Sequence, residues 1–210
     1  VIGVKQIQKF ALANDCDPYT PLHEMKPLCL VTGNKHKVEE FAQMVGDKLA
    51  WTHMKLDVPE LQGLPEEVAR EKCRCAAKLY GGPVITEDVS FCINALGGMP
   101  GVYIRYFLES VGPQGIFDML QAWEDKSAFA QCIYAYCAGP DAEVQLFVGR
   151  CPGKVVAEKG VSQFGSVSFD AIFAPELGGG KTFAEQTKEE KNTMSHRGLA
   201  SAKLIEFLVK

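Results

Sequence analysis

From Leu28 onward the chain switches repeatedly between two hydrophobic periods. "LCLVT" is apolar without interruption, the mark of a strand buried on both faces. Val38, Phe41, Ala42 and Val45 then recur at i, i+3, i+4 and i+7, which predicts a helix with one core face, ended by Gly46. "WTHMKLD" reads as a second strand. "PEEVAREKCRCAAKLY" opens with Pro65 and two acids, as a helix N-terminus prefers. Its core face is Ala69, Cys73, Ala76, Ala77 and Tyr80, and Gly81-Gly82 end it. "PVITED" predicts a short strand running into two acids, with "VSFCINAL" continuing as strand or turn. Two helices are predicted around 101–110 and 114–123. "SAFAQCIYAYCA" and "VQLFVGR", separated by "GPDAE", predict an antiparallel hairpin that "PGKVVAE" extends. The next stretch is loop-rich until Thr187 and Glu190, spaced as a capping box. Ala200, Leu204, Phe207 and Leu208 then mark the core face of a terminal helix. Strands alternating with helices, followed by a hairpin, indicate a mixed-sheet α/β domain over residues 28–210.

Residues 1–27 follow neither period. Pro18, Pro21 and Pro27 break any helix there, and the stretch is read as an extension of unknown role. It lacks the Arg-rich composition of a transit peptide, and with no initiator Met the true start is expected to lie elsewhere. The formal net charge of −4 argues against a general nucleic-acid binder, yet leaves room for a small polyanion held by local lysines. No apolar run reaches the length that spans a bilayer, so no membrane role is expected. Eight cysteines raise the question of a disulfide framework. Several sit inside apolar runs, no CxxC pair occurs, and the chain is long, so reduced cytosolic thiols without a zinc site are expected.

Chemistry concentrates at a few positions. Gly33 and Asn34 stand at a strand-to-helix corner, with Lys37 one helical turn beyond, where backbone N–H groups and the helix dipole favour an anion. Glu87 and Asp88 end an apolar strand, where ligands of open α/β sheets gather. Glu60 lies in "DVPELQG", either as a solvated loop acid or, if it converges with Asp88, as the second carboxylate of a Mg²⁺ site. Lys72 borders the face of the second helix, and Lys191 and Ser195 share a face if "EEKNTMSHRG" is helical. His196, Arg197 and Gly198 follow. Singly, each reads as ordinary surface; together they would neutralise a triphosphate. The spacings of a Walker A loop, a GxGxxG fingerprint and a GxSxG elbow are all missing, so covalent catalysis is not indicated.

In this order, "VTGNKHKVEEF", "DVPELQG", "EDVSFCINALGGMPGVYI", "EDKSAFAQC" and "KTFAEQTKEEKNTMSHRG" resemble the inosine triphosphate pyrophosphatase family from about Leu28 to the C-terminus. The resemblance implies hydrolysis of ITP, dITP and XTP to the monophosphate and pyrophosphate, cleansing the nucleotide pool. It implies an elongated mixed sheet flanked by helices, in two lobes with a deep substrate cleft. Mg²⁺ dependence, with Mn²⁺ as a substitute, a homodimer and a cytoplasmic setting come with it. Carried over by position, Thr32, Gly33, Asn34 and Lys37 would contact phosphates, and Glu60 and Asp88 would hold the metal. Asp88 would also be the general base, Lys72 and Lys191 would add charge, and Ser195, His196 and Arg197 would serve substrate and base. The chain departs from the family pattern at "FGSVSFDAIF", where Ser166–Ser168 is inserted and Ala171 replaces a usual Pro. Phe164 is expected to stack on the base, with Asp170 nearby. Val89 follows Asp88 where a small hydroxyl residue is common. A pyrophosphatase for other modified nucleotides and an inactive nucleotide-binding module remain as alternatives.

Overall fold

The alternating periods assemble into one mixed sheet with helices on both faces. A computed structural model describes residues 26–46, 49–163, 165 and 167–209. In chain order the elements are β1 (Leu28–Val31), α1 (Lys35–Val45), β2 (Trp51–Met54), α2 (Pro65–Tyr80), β3 (Val84–Ile93), β4 (Pro100–Gly101), α3 (Ile104–Met119), β5 (Ser127–Cys137), β6 (Val144–Val155), β7 (Phe173–Pro175), α4 (Lys188–Met194) and α5 (His196–Leu208). The seven strands run in the order β2-β1-β3-β5-β6-β7, with β4 on β3. The β2, β1 and β3 pairings are parallel; β5, β6 and β7 continue antiparallel. At residues 1–25 the expected extension lies outside the described residues.

Strands β5 and β6 are long, and at about 3.3 Å per residue they reach across more than one core. One core lies beneath α1 and α5, where Phe41, Val45, Ala200 and Leu204 meet Ile85 and Tyr136. A second lies on the opposite face, where Ala69, Cys73, Ala76 and Ala77 of α2 meet Val84 and Ala135. A third occupies the far lobe, where Phe91, Ile104, Leu108, Phe169, Phe173 and Phe183 pack together. The described cysteines are free thiols, and most are buried as small hydrophobes.

Two expectations change. The stretch after "PVITED", expected as strand or turn, is strand as far as Ile93, because β5 pairs with β3 along its whole length, from Val84↔Cys137 to Ile93↔Ala128. On the other side β1 accompanies it only at Val84 and Ile85, and β4 joins only at Phe91 and Cys92. Glu87 and Asp88 therefore occupy an unpaired gap in mid-strand rather than a strand end. Second, Lys191 and Ser195 do not share a helical face. Ser195 is extended (φ −68°, ψ 153°), ends α4 and caps α5, its Oγ accepting from Gly198 N at 3.1 Å. A capping residue needs this non-helical ψ, which breaks the helix between the two positions. The two helices expected around 101–123 form one segment broken at Gly112 (φ 70°), just before Pro113.

Candidate active site

The corner after β1 is built locally. Asn34 caps α1 by accepting from His36 N at 2.9 Å, while its own N–H donates to Thr32 Oγ1 at 3.0 Å. Thr32 N in turn donates to Met54 O at 3.0 Å, which ties the corner to the end of β2. Gly33 lies under the stem of Lys55; a Cβ there would stand 3.0 Å from Lys55 Cδ. Lys55 is thus a further cation over the corner that the sequence reading missed, and its place one residue beyond β2, beside β1, was the available signal.

Adjacent residues of a strand point to opposite faces, and this divides Glu87 from Asp88. Glu87 faces α1 and α5, its side chain 2% exposed. Lys37 Nζ lies 2.5 Å from its Oε2 and donates to its main-chain carbonyl at 2.8 Å. Arg197 donates to Oε1 from Nε (3.3 Å) and Nη2 (3.2 Å), and from Nη1 to Glu40 Oε2 (2.8 Å). Burial opposes the Glu87 charge, but Lys37 and Arg197 outweigh it and hold the carboxyl well below the usual range. Burial likewise pushes Lys37 down, and Glu87 with Asp88 reverses this.

Asp88 faces α2, where its Oδ1 receives the Lys72 ammonium. Its Oδ2 is buried without a hydrogen-bond partner. A carboxylate oxygen buried bare costs free energy unless a ligand completes it.

In the far lobe, Lys191 Nζ donates to Asp170 Oδ2 at 2.6 Å and lies 4.8 Å from the Phe183 ring centre. His196, the first residue of α5, is buried between Phe169 (5.9 Å) and Phe183 (6.0 Å), with Nδ1 unpartnered. Burial, reinforced by Arg197 and Lys191, pushes its imidazole down to about 3, so it is neutral at physiological pH. Phe169 stacks on Phe91 at 4.5 Å, within the core. Phe164 lies outside the described residues.

Lys37, Lys72, Asp88 and Arg197 thus gather around the β3 gap, directly or through Glu87. Lys191, Asp170 and His196 form a neighbouring group, continuous with the first because His196 and Arg197 are consecutive. Glu60 shares no hydrogen bond or ion pair with them. It is exposed on the loop between β2 and α2 and makes no hydrogen bond or ion pair among the described residues. Arg197 is engaged by two carboxylates, Glu87 and Glu40.

Fold and site define a class: a mixed α/β protein whose open β3 edge sets cations around a carboxylate with a free oxygen. Within that class the chain belongs to the Ham1 family, whose model matches residues 28–207. An inosine triphosphate pyrophosphatase of Giardia intestinalis is 52% identical over 183 residues, covering 87% of this chain and 92% of that protein. Among solved structures, a HAM1 protein from Coxiella burnetii superposes with a TM-score of 0.77 at 27% identity, covering 88% of this chain and 98% of its own. A nucleoside-triphosphatase described as a dITP/XTP pyrophosphatase, from Mycobacterium abscessus, gives a TM-score of 0.66 at 29% identity, covering 84% and 97%.

Proposed function

We propose that this protein hydrolyses ITP, dITP and XTP to the nucleoside monophosphate and pyrophosphate, removing non-standard purine nucleotides from the pool. The observation that carries this reading is Asp88, held by Lys72 on one oxygen and bare on the other, in a gap flanked by Lys37. Phosphoryl transfer needs positioning and charge neutralisation more than covalent help. Lys37, Lys72 and the Gly33 N–H at the Thr32–Asn34 corner receive the triphosphate. Asp88 Oδ2 accepts the proton of the attacking water, while Lys72 on Oδ1 orients the carboxylate. In this reading the neutral His196, whose Nδ1 is buried without a partner between two phenylalanine rings, bonds a purine edge. A site whose buried donors match a 6-oxo group rejects a 6-amino group, because the donors would be left unpaired.

The donor set suits Mg²⁺, which takes one or two carboxylates with substrate phosphates rather than an all-protein cage. Asp88 would hold it through Oδ1, beside Lys72, so that Oδ2 stays open to the water proton, and Glu60 would be the second carboxylate. When bound, the ion neutralises charge on the phosphate oxygens. The family resemblance supports a homodimer working on the cytoplasmic pool, and no described helix is long and apolar enough to cross a membrane.

The test is pyrophosphate release from ITP, XTP, ATP and GTP, with Mg²⁺ and again with excess EDTA. Release from ITP and XTP only, abolished by EDTA, is the expected pattern. Equal release from all four would keep the reaction and overturn the selectivity. No release from any would leave a nucleotide-binding module.

A further inference from the structure

Glu87 has no task in the reaction above. It turns away from the Asp88 face, and its side chain is 2% exposed. A buried ion pair contributes little net stability compared with apolar residues of the same shape, so stability alone gives no reason for a carboxylate here. Its contacts suggest another role. One carboxylate serves cations from two helices, Lys37 of α1 on Oε2 and Arg197 of α5 on Oε1, with the Cys132 thiol donating to Oε1 at 3.3 Å.

We infer that Glu87 is a positioning residue that sets Lys37 and Arg197 against each other, coupling the triphosphate grip to the base-selecting end of the cleft. The inference rests on the pyrophosphatase reading. Lys37 pairs with Glu87 Oε2 by charge and donates one N–H to the Glu87 main-chain carbonyl, which leaves donors for a phosphate. Arg197 commits Nε and Nη2 to Glu87 and Nη1 to Glu40, which fixes the guanidinium plane beside His196. Because both cations lean on one carboxylate, moving either one changes what the other meets.

Two measurements test this. In Glu87→Gln the side chain keeps its volume and loses its charge, so both cations lose a charge-assisted bond. KM for ITP should rise about tenfold or more with kcat within a few-fold, and the ITP-over-ATP preference should fall. A purely structural role would lower the melting temperature and the active fraction while leaving KM and the preference unchanged, and that result overturns the inference. Should Glu87→Gln not fold, a cycle of Lys37→Met, Arg197→Gln and the double variant replaces it. Effects on kcat/KM for ITP that fall short of multiplying, by about tenfold, support coupling through Glu87; effects that multiply overturn it. The parent chain is the control, since a parent that releases no pyrophosphate from ITP overturns the pyrophosphatase reading and this inference with it.

Discussion

Replacing Gly149 by Ala tests whether α5 is seated by contact with β6. Gly149 is buried at mid-strand, opposite Cys132, and its backbone is not in the left-handed region, so torsion does not demand glycine. Space does. A Cβ there would overlap His196 O and Ala200 N and stand 3.1 Å from Ala200 Cα, where ordinary contact begins at 3.4 Å. All three atoms are helix backbone and cannot rotate aside. The first turn of α5 must therefore withdraw by on the order of 1 Å from a core packed as densely as a crystal. Overpacking of this kind costs about 2–3 kcal/mol, which lowers the melting temperature by about 4–12 °C in a protein of this size. The same turn carries His196 and Arg197, and a misplacement of about 1 Å can cost roughly 100-fold in rate. Differential scanning fluorimetry and pyrophosphate release from ITP read the two effects. Gly139→Ala is the control, because a Cβ there meets nothing within 4 Å. A Gly149→Ala protein that melts and turns over like the parent would refute the steric argument.

Three further outcomes are expected. Asp88→Asn keeps the shape and removes the base, so kcat should fall by about 10²–10⁴-fold while nucleotide still binds; undiminished turnover would remove Asp88 from the reaction. His196 is held down to about 3 against an ordinary 6.5, so below pH 6.5 the unfolded chain binds the extra proton and stability falls as pH falls. This group should account for about 2 kcal/mol lost between pH 7 and pH 5. Urea melts at both pH values should show that loss in the parent and not in His196→Gln; identical pH dependence in both would contradict it. Thr187 caps α4 by accepting from Glu190 N at 3.2 Å, and Glu190 Oε2 returns the bond to Thr187 N at 2.9 Å. Thr187→Ala should therefore cost about 1 kcal/mol, visible as a fall of about 2–4 °C in melting temperature.

Much of the fold was legible because it is local. Of the stripe Val38, Phe41, Ala42 and Val45, Phe41 and Val45 became the buried face of α1, Val38 is half-buried and Ala42 is exposed. The Ala69-Cys73-Ala76-Ala77-Tyr80 stripe became that of α2, and the hairpin formed across "GPDAE". The capping box at Thr187 depends only on residues three apart and formed as its spacing demanded. In the terminal helix Ala200, Leu204 and Leu208 are buried, while Phe207 lies partly buried against Tyr136 and Phe147. The length of β3 was not legible, because its ladder comes from β5, distant in the chain.

By itself the sequence determined the helices, the caps, the run of apolar strands and the residue types that could meet a triphosphate. These depend on neighbours within about one helical turn or on alternation along a strand. Only the tertiary structure decided what those residues do to one another. Glu87 and Asp88 read as a pair in the chain, yet the pleat sends them to opposite faces, one to Lys37 and Arg197, the other to Lys72. Ser195 read as part of a helical face, yet it ends one helix and caps the next. Charge pairing needs side chains within a few ångströms, and strand register and helix docking alone set such distances between residues far apart in the chain.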